Sequence, residues 1–191
     1  MKYSFDGLNV TSFESRRAGE IEKLISYHGG NPRVAPSMKE LPNAESPNAM
    51  EFAEKLFNNE IDLLILMTGV GTRYLSEIVT KTYDKDDYVK ALSGITLLAR
   101  GPKPVSALRE LNLKADITVP EPNTWRDVLT TIDEVYEIEG KIVYVQEYGI
   151  SNQKLLDGLT KRGAKVNRIP VYTWGLPEDI NPLKDAIKSI S

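Results

Sequence analysis

Thr68-Gly69-Val70-Gly71-Thr72-Arg73 sets two hydroxyls, two glycines and a guanidinium directly behind the unbroken apolar run Leu63–Met67. That run is too short to span a membrane and reads as a strand buried on both faces, as in parallel sheets. A strand, a polar turn and a helix start present unpaired backbone N–H groups at the positive end of a helix dipole. Such a junction favours an anion before any side chain is counted. Thr68, Gly69, Gly71 and Arg73 are therefore candidate contacts for a carboxylate or phosphate, and the alternative is a capped helix with glycines serving turn geometry.

Three further turns follow the same grammar. Arg100-Gly101-Pro102-Lys103 puts two cations beside a helix start, against the dipole preference, so Arg100, Gly101 and Lys103 join the candidates. In Pro120–Trp125, Thr124 reads as an N-cap that also borders the edge, and Trp125 as a core plug. Glu147–Asn152 offers Tyr148, Gly149 and Ser151, with the phenol of Tyr148 either donating into a cleft or packed. His28 precedes Gly29 at a helix end, where a dipole or packing role outweighs catalysis.

The 191 residues hold no cysteine and one histidine, which removes disulfides, thiolate zinc sites and thiol nucleophiles and leaves little for a histidine-based triad. With 24 basic and 27 acidic residues the net charge is −3, which argues against a general nucleic-acid surface. The amino terminus lacks the apolar core of a signal peptide, and no run approaches the ~20 residues that span a bilayer. The expected compartment is the cytoplasm. No nucleophile–base pair is present, and no glycine pattern matches a dinucleotide or P-loop fingerprint.

The elements that must position these turns alternate regularly. A strand over Leu8–Phe13, a helix from Glu14 to Tyr27 capped by Ser12, a stop at Gly29-Gly30 and a strand over Arg33–Pro36 make one βαβ unit. Residues 37–48 carry no apolar period and read as a linker. Helix 47–59, strand 62–67, helix 71–81, strand 95–99, helix 101–111, strand 116–119, helix 124–136, strand 141–146, helix 151–161 and strand 165–172 then predict a parallel sheet with helices on both faces. A last helix is expected over Asn181–Ile190. Ligands of such a sheet sit at the strands' carboxyl ends, so the four turns should share one edge. The first βαβ unit lacks enough sheet to bury both of its faces, and the chain reads as truncated.

The stretches ESRRAGEIEKLISYHGGNPRVAPSMKELP, DLLILMTGVGTRYL, LLARGPKPVSALRELNL, VPEPNTWRDVL and VQEYGISNQKLLDGLTKRGAKVNRIPVYTWGLPED resemble, in order and spacing, the uroporphyrinogen-III synthases, especially their bacterial branch. The resemblance implies two flavodoxin-like doubly wound α/β domains joined by a two-stranded connector. Residues 1–38 with 172–191 would form the first domain, incomplete here, and 39–171 the second, complete one with the connector strands. It implies a lyase without cofactor that cyclises hydroxymethylbilane to uroporphyrinogen III, with loss of water and inversion of the last pyrrole ring through a spiro intermediate. The substrate's eight carboxylates suit helix N-termini, and positioning can outweigh acid–base groups in such a reaction.

By motif, Tyr172 in IPVYTW matches the family's hinge tyrosine, which would assist loss of the hydroxyl as a proton donor, although a connector tyrosine is equally a structural residue. Gly101 and Ser106 align with the family's strand–Gly–helix turn, where Pro104 replaces a threonine of some members. A second function remains open: a non-catalytic regulatory module of the same fold that senses a tetrapyrrole or another polyanion. A synthase would have roughly 70 further residues completing the first domain, whereas a regulator would continue into a helix-turn-helix. An incomplete sheet would also invite homodimerisation through its uncovered edge.

Overall fold

The computed structural model describes residues 4–42, 46–147 and 149–190. The chain divides into two compact units, one formed by Met1–Leu41 with Trp174–Ser191 and the other by Pro42–Thr173.

The larger unit is built on a five-stranded sheet. Its strands are β4 (Leu63–Leu66), β5 (Thr96–Ala99), β6 (Ile117–Thr118), β7 (Ile142–Glu147) and β8 (Lys165–Pro170), in the spatial order β6-β5-β4-β7-β8. Every pairing is parallel. Taken from β7, the same row is the flavodoxin order entered part-way through, so the unit is a circular permutant of that arrangement. Its switch point lies between β4 and β7, because the chain leaves β4 toward β5 on one side and returns to β7 on the other.

All four residues of β4 are buried, as an apolar run in a central parallel strand requires. Leu63, Ile65 and Met67 point to one face, where they join Val143, Val145 and the apolar stripes of α6 (Trp125–Val135) and α7 (Gln153–Lys161). Leu64 and Leu66 point to the other, toward which Tyr144 sets its ring 5.3 Å from that of Phe52 in α2 (Pro47–Phe57). Helices α3 (Gly69–Val79), α4 (Lys85–Leu92) and α5 (Pro102–Glu110) complete the unit.

In the smaller unit, β1 (Asn9–Ser12), α1 (Ala18–Tyr27) and β2 (Asn31–Val34) form the expected βαβ turn, with β1 and β2 parallel. The final helix, α8, covers Asn181–Ile190. β3 (Lys39–Pro42) and β9 (Tyr172–Gly175) make a separate two-stranded sheet, the connector of the chain.

Four sequence expectations need correction. Ser12 does not cap α1: the helix starts at Ala18 behind Arg17, and Ser12 Oγ instead accepts from Glu14 N–H (3.2 Å) while Glu14 Oε1 accepts from the N–H groups of Arg16 and Arg17. Residues 37–48 are not bare linker, for they contain β3, which is too short to show a period and is specified by pairing with β9. At Gly175 of that pair a Cβ would stand 2.5 Å from Leu41 Cδ1, so only glycine admits the neighbour. The strand expected over 165–172 is two: β8 closes the large sheet, Val171 intervenes, and β9 begins at Tyr172. Helix α4 has no counterpart in the sequence pattern; it buries only Tyr88 and Leu92, too thin a stripe to read as a helix face.

Candidate functional site

Because all five strands of the large sheet run the same way, the turns after β4, β5, β6 and β7 lie on its one carboxyl edge. Thr68 caps α3: its Oγ1 accepts from Gly71 N–H (3.0 Å), its carbonyl accepts from Thr72 Oγ1 (2.8 Å), and its N–H donates to Gln146 Oε1 (3.2 Å). The helix begins at Gly69 rather than at Gly71 as the sequence pattern predicts, so both glycines lie inside it and are buried.

Protein atoms fill the space those glycines vacate. A Cβ on Gly69 would stand 2.6 Å from the Lys103 carbonyl oxygen, and one on Gly71 would overlap the side-chain amide of Gln146. The close approaches are therefore to α5 and to β7. Arg73 is also engaged: Nε and Nη2 donate to Glu110 at 2.8 and 2.6 Å, a fork that clamps α3 to α5. That hydrogen bond holds Glu110 below the usual carboxylate range and raises the guanidinium further above its own. Each partner is about half exposed, so the pair contributes little to stability.

After β5, Gly101 occupies the N-cap of α5 without a side-chain cap. A Cβ there would meet the Asn123 side chain at 2.8 Å. With its amide turned to donate, Asn123 reaches the carbonyls of Arg100 (2.8 Å) and Val119 (2.9 Å), which joins the turns behind β5 and β6. The first turn of α5 is poor in donors: Pro102 and Pro104 have no N–H, and Val105 N–H is spent on the Gly101 carbonyl (3.4 Å). Lys103 is exposed at the edge.

Thr124 is consumed by a capping box, its Oγ1 accepting from Arg126 N–H and its own N–H donating to Asp127 Oδ2 (2.6 Å). The Thr124 hydroxyl and N–H hold the Asp127 carboxyl below its ordinary range. Tyr148 lies outside the described residues. Gly149, at φ 58°, donates its N–H to the Tyr172 carbonyl (3.3 Å), and Ser151 Oγ donates to Glu147 Oε2 (2.9 Å). Tyr172 is 1% exposed, with its ring tilted against that of Tyr74 at 5.7 Å. In the smaller unit His28 ends α1 edge-on to the rings of Tyr27 and Phe5, a packing role.

The structure adds three residues that sequence reasoning passed over. Gln146 is fully buried and links β7 to the cap of α3. Glu147 is 5% exposed, and Arg168 of β8 donates through Nε to its Oε2 (2.8 Å). The signal available was a polar pair, Gln146-Glu147, ending an apolar strand. Among the described residues no cluster of three metal-ligating side chains occurs, and no helix is long and apolar enough to cross a membrane.

The family model described as uroporphyrinogen-III synthase HemD matches residues 19–190. The chain belongs to the uroporphyrinogen-III synthase family. This family member is 30% identical over 176 residues to the Bacillus subtilis (strain 168) protein YjjA, described as uncharacterized; the match covers 91% of this chain and 63% of that protein. It therefore spans less than two thirds of that relative's length. Crystal structures of uroporphyrinogen III synthase from the extremely thermophilic bacterium Thermus thermophilus share the fold. A selenomethionine mutant form superposes with a TM-score of 0.70 at 24% identity, over 96% of this chain and 69% of that one. The wild-type form does so with 0.63 at 25% identity, over 95% and 68%. The two-unit α/β architecture is thus the family's, and the four turns sit on the carboxyl edge of its large sheet.

Proposed function

We propose that the full-length protein is a uroporphyrinogen-III synthase, a lyase of tetrapyrrole and heme biosynthesis acting in the cytoplasm. It would take linear hydroxymethylbilane, assist departure of the terminal hydroxyl as water, and hold the chain so that the last ring inverts on closure. The carboxyl edge of the large sheet would receive substrate carboxylates at Thr68, Arg100 and Lys103, with Gly69, Gly71, Gly101, Arg73, Thr124, Gly149 and Ser151 shaping that edge from within. Tyr172 would supply the proton to the leaving hydroxyl, and its Gly149 tether supports this reading most directly. That 3.3 Å hydrogen bond keeps the connector strand beside the turn after β7, next to the switch point where doubly wound sheets take their ligands.

The test is a coupled assay of the full-length protein with freshly made hydroxymethylbilane, separating isomers I and III of the oxidised uroporphyrin. Predominance of isomer III supports the synthase, and Tyr172→Phe should then lower its rate by about tenfold or more. Isomer I alone, the spontaneous product, refutes it.

One observation favours a second reading, a non-catalytic module that binds a tetrapyrrole. Tyr172 is almost wholly buried and Arg73 is already matched by Glu110, so the two residues best suited to act on a substrate are both engaged. This reading expects binding of a tetrapyrrole with no excess of isomer III. In the 191-residue chain itself, the open edges of the two-stranded sheet in the small unit would favour a homodimer, and a monomeric mass in sedimentation at working concentration would exclude one.

A further inference from the structure

Arg168 and Glu147 share one face of the large sheet. Val145 pairs with Arg168 and Glu147 with Pro170, so the side chains at 145, 147 and 168 point the same way. Glu147 Oε2 accepts from Arg168 Nε (2.8 Å) and Ser151 Oγ (2.9 Å), and Arg168 Nη2 is also bonded to Ser151 Oγ. Glu147 Oε1 is buried with no hydrogen-bond partner among the described residues. The adjoining space, between Met67, Val145, Ile150, Asn152 and Leu155, amounts to about 10 Å³, room for a water at most.

Burying a carboxylate with one oxygen unmatched is costly, and an apolar pair of similar volume would serve stability better. What the arrangement achieves is orientation. The Arg168 side chain is 49% exposed while that of Glu147 is 6% exposed, so a planar cation is held from below with its outer part in solvent. Arg168 Nη1 donates to no described residue. Arg73 and Arg162 differ, for their carboxylate partners, Glu110 and Asp133, are half exposed.

We propose that Arg168 is a carboxylate-binding residue of the ligand edge, and that Glu147 and Ser151 are positioning residues which hold its guanidinium. The inference rests on the tetrapyrrole reading and assigns Arg168 to one of the ligand's acidic side arms, taken through the forked donors a guanidinium offers. The probe is uroporphyrin III, which carries eight carboxylates, titrated into the full-length protein by fluorescence at two salt concentrations, with thermal melting alongside. Arg168→Gln should weaken binding about tenfold or more and flatten its salt dependence. Arg168→Lys should lose less, keeping the charge without the fork. If Arg168→Gln fails to fold, the paired replacement Glu147→Leu with Arg168→Met removes the buried charge as well and should show the same loss of affinity. Wild-type affinity in the folded variants overturns this assignment alone, whereas no uroporphyrin binding by the unmodified protein overturns it together with the reading beneath it.

Discussion

Gly71 shows how a side chain's absence can be read correctly and its beneficiary wrongly. Two glycines behind a buried strand signal that something comes close, but only the fold says that the visitor is Gln146. The same holds for Arg73, whose type predicts an anionic partner and whose partner is Glu110 on the neighbouring helix. Gly71→Ala should force the fully buried Gln146 off Thr68 N–H and destabilise the large unit by about 1–3 kcal/mol, read from urea unfolding. Asp62 supplies a pH test. Its carboxylate accepts from Ile142 N–H (2.8 Å) and Lys141 Nζ (3.2 Å), and chiefly the backbone bond holds its pKa below the ordinary value. A folded pKa below the unfolded one stabilises above the unfolded value and ceases to do so as pH falls through the folded value. Stability should therefore decline as pH falls through and below the ordinary carboxylate range, and Asp62→Asn should shallow that decline in unfolding midpoints measured across acid pH.

Elements with a wide apolar stripe or a strong cap were legible; those made by pairing were not. Helix α6 announces itself through Thr124 and Asp127, and α2 through Ser46 followed by Pro47. β3 has neither period nor punctuation and exists because β9 lies beside it. Residues 84–92 are mostly charged, so only the Asp84 cap, which accepts from Asp86 and Asp87 N–H, marks α4. The caps give two tests at this scale. Thr124→Ala should cost about 1 kcal/mol through loss of the capping box. Ser46→Ala should cost more, about 2 kcal/mol, because its fully buried hydroxyl also donates to the Pro170 carbonyl (3.1 Å), tying α2 to β8. Thermal melting of both variants checks the order, and equal losses would refute the added role of the β8 contact.

The two units differ sharply in what they bury. Among the described residues of the small unit, Ile25, Ala35 and Ala186 are the buried apolar side chains, whereas the large unit buries nearly every residue of β4, β5 and β7. Amide exchange should therefore be slowest in those three strands and much faster throughout β1, α1 and β2, and uniform protection across both units would contradict this. The alternation of strand and helix made the large sheet readable as parallel. Its permuted order was not readable, since strand neighbours depend on which side of β4 the chain returns to.

Synthesis of this chain runs out of step with its assembly. The small unit takes its residues from both sides of the large one in sequence, and Arg16 stacks on Trp174 at 4.8 Å while pairing with Glu40. On the ribosome the segment that carries Arg16 emerges ahead of the large unit, yet its indole partner is translated only after that entire unit has been made. The nascent chain must therefore carry an unfinished amino-terminal fragment through the folding of its own middle, and a pause in elongation before Trp174 would prolong that exposure to chaperones and proteases.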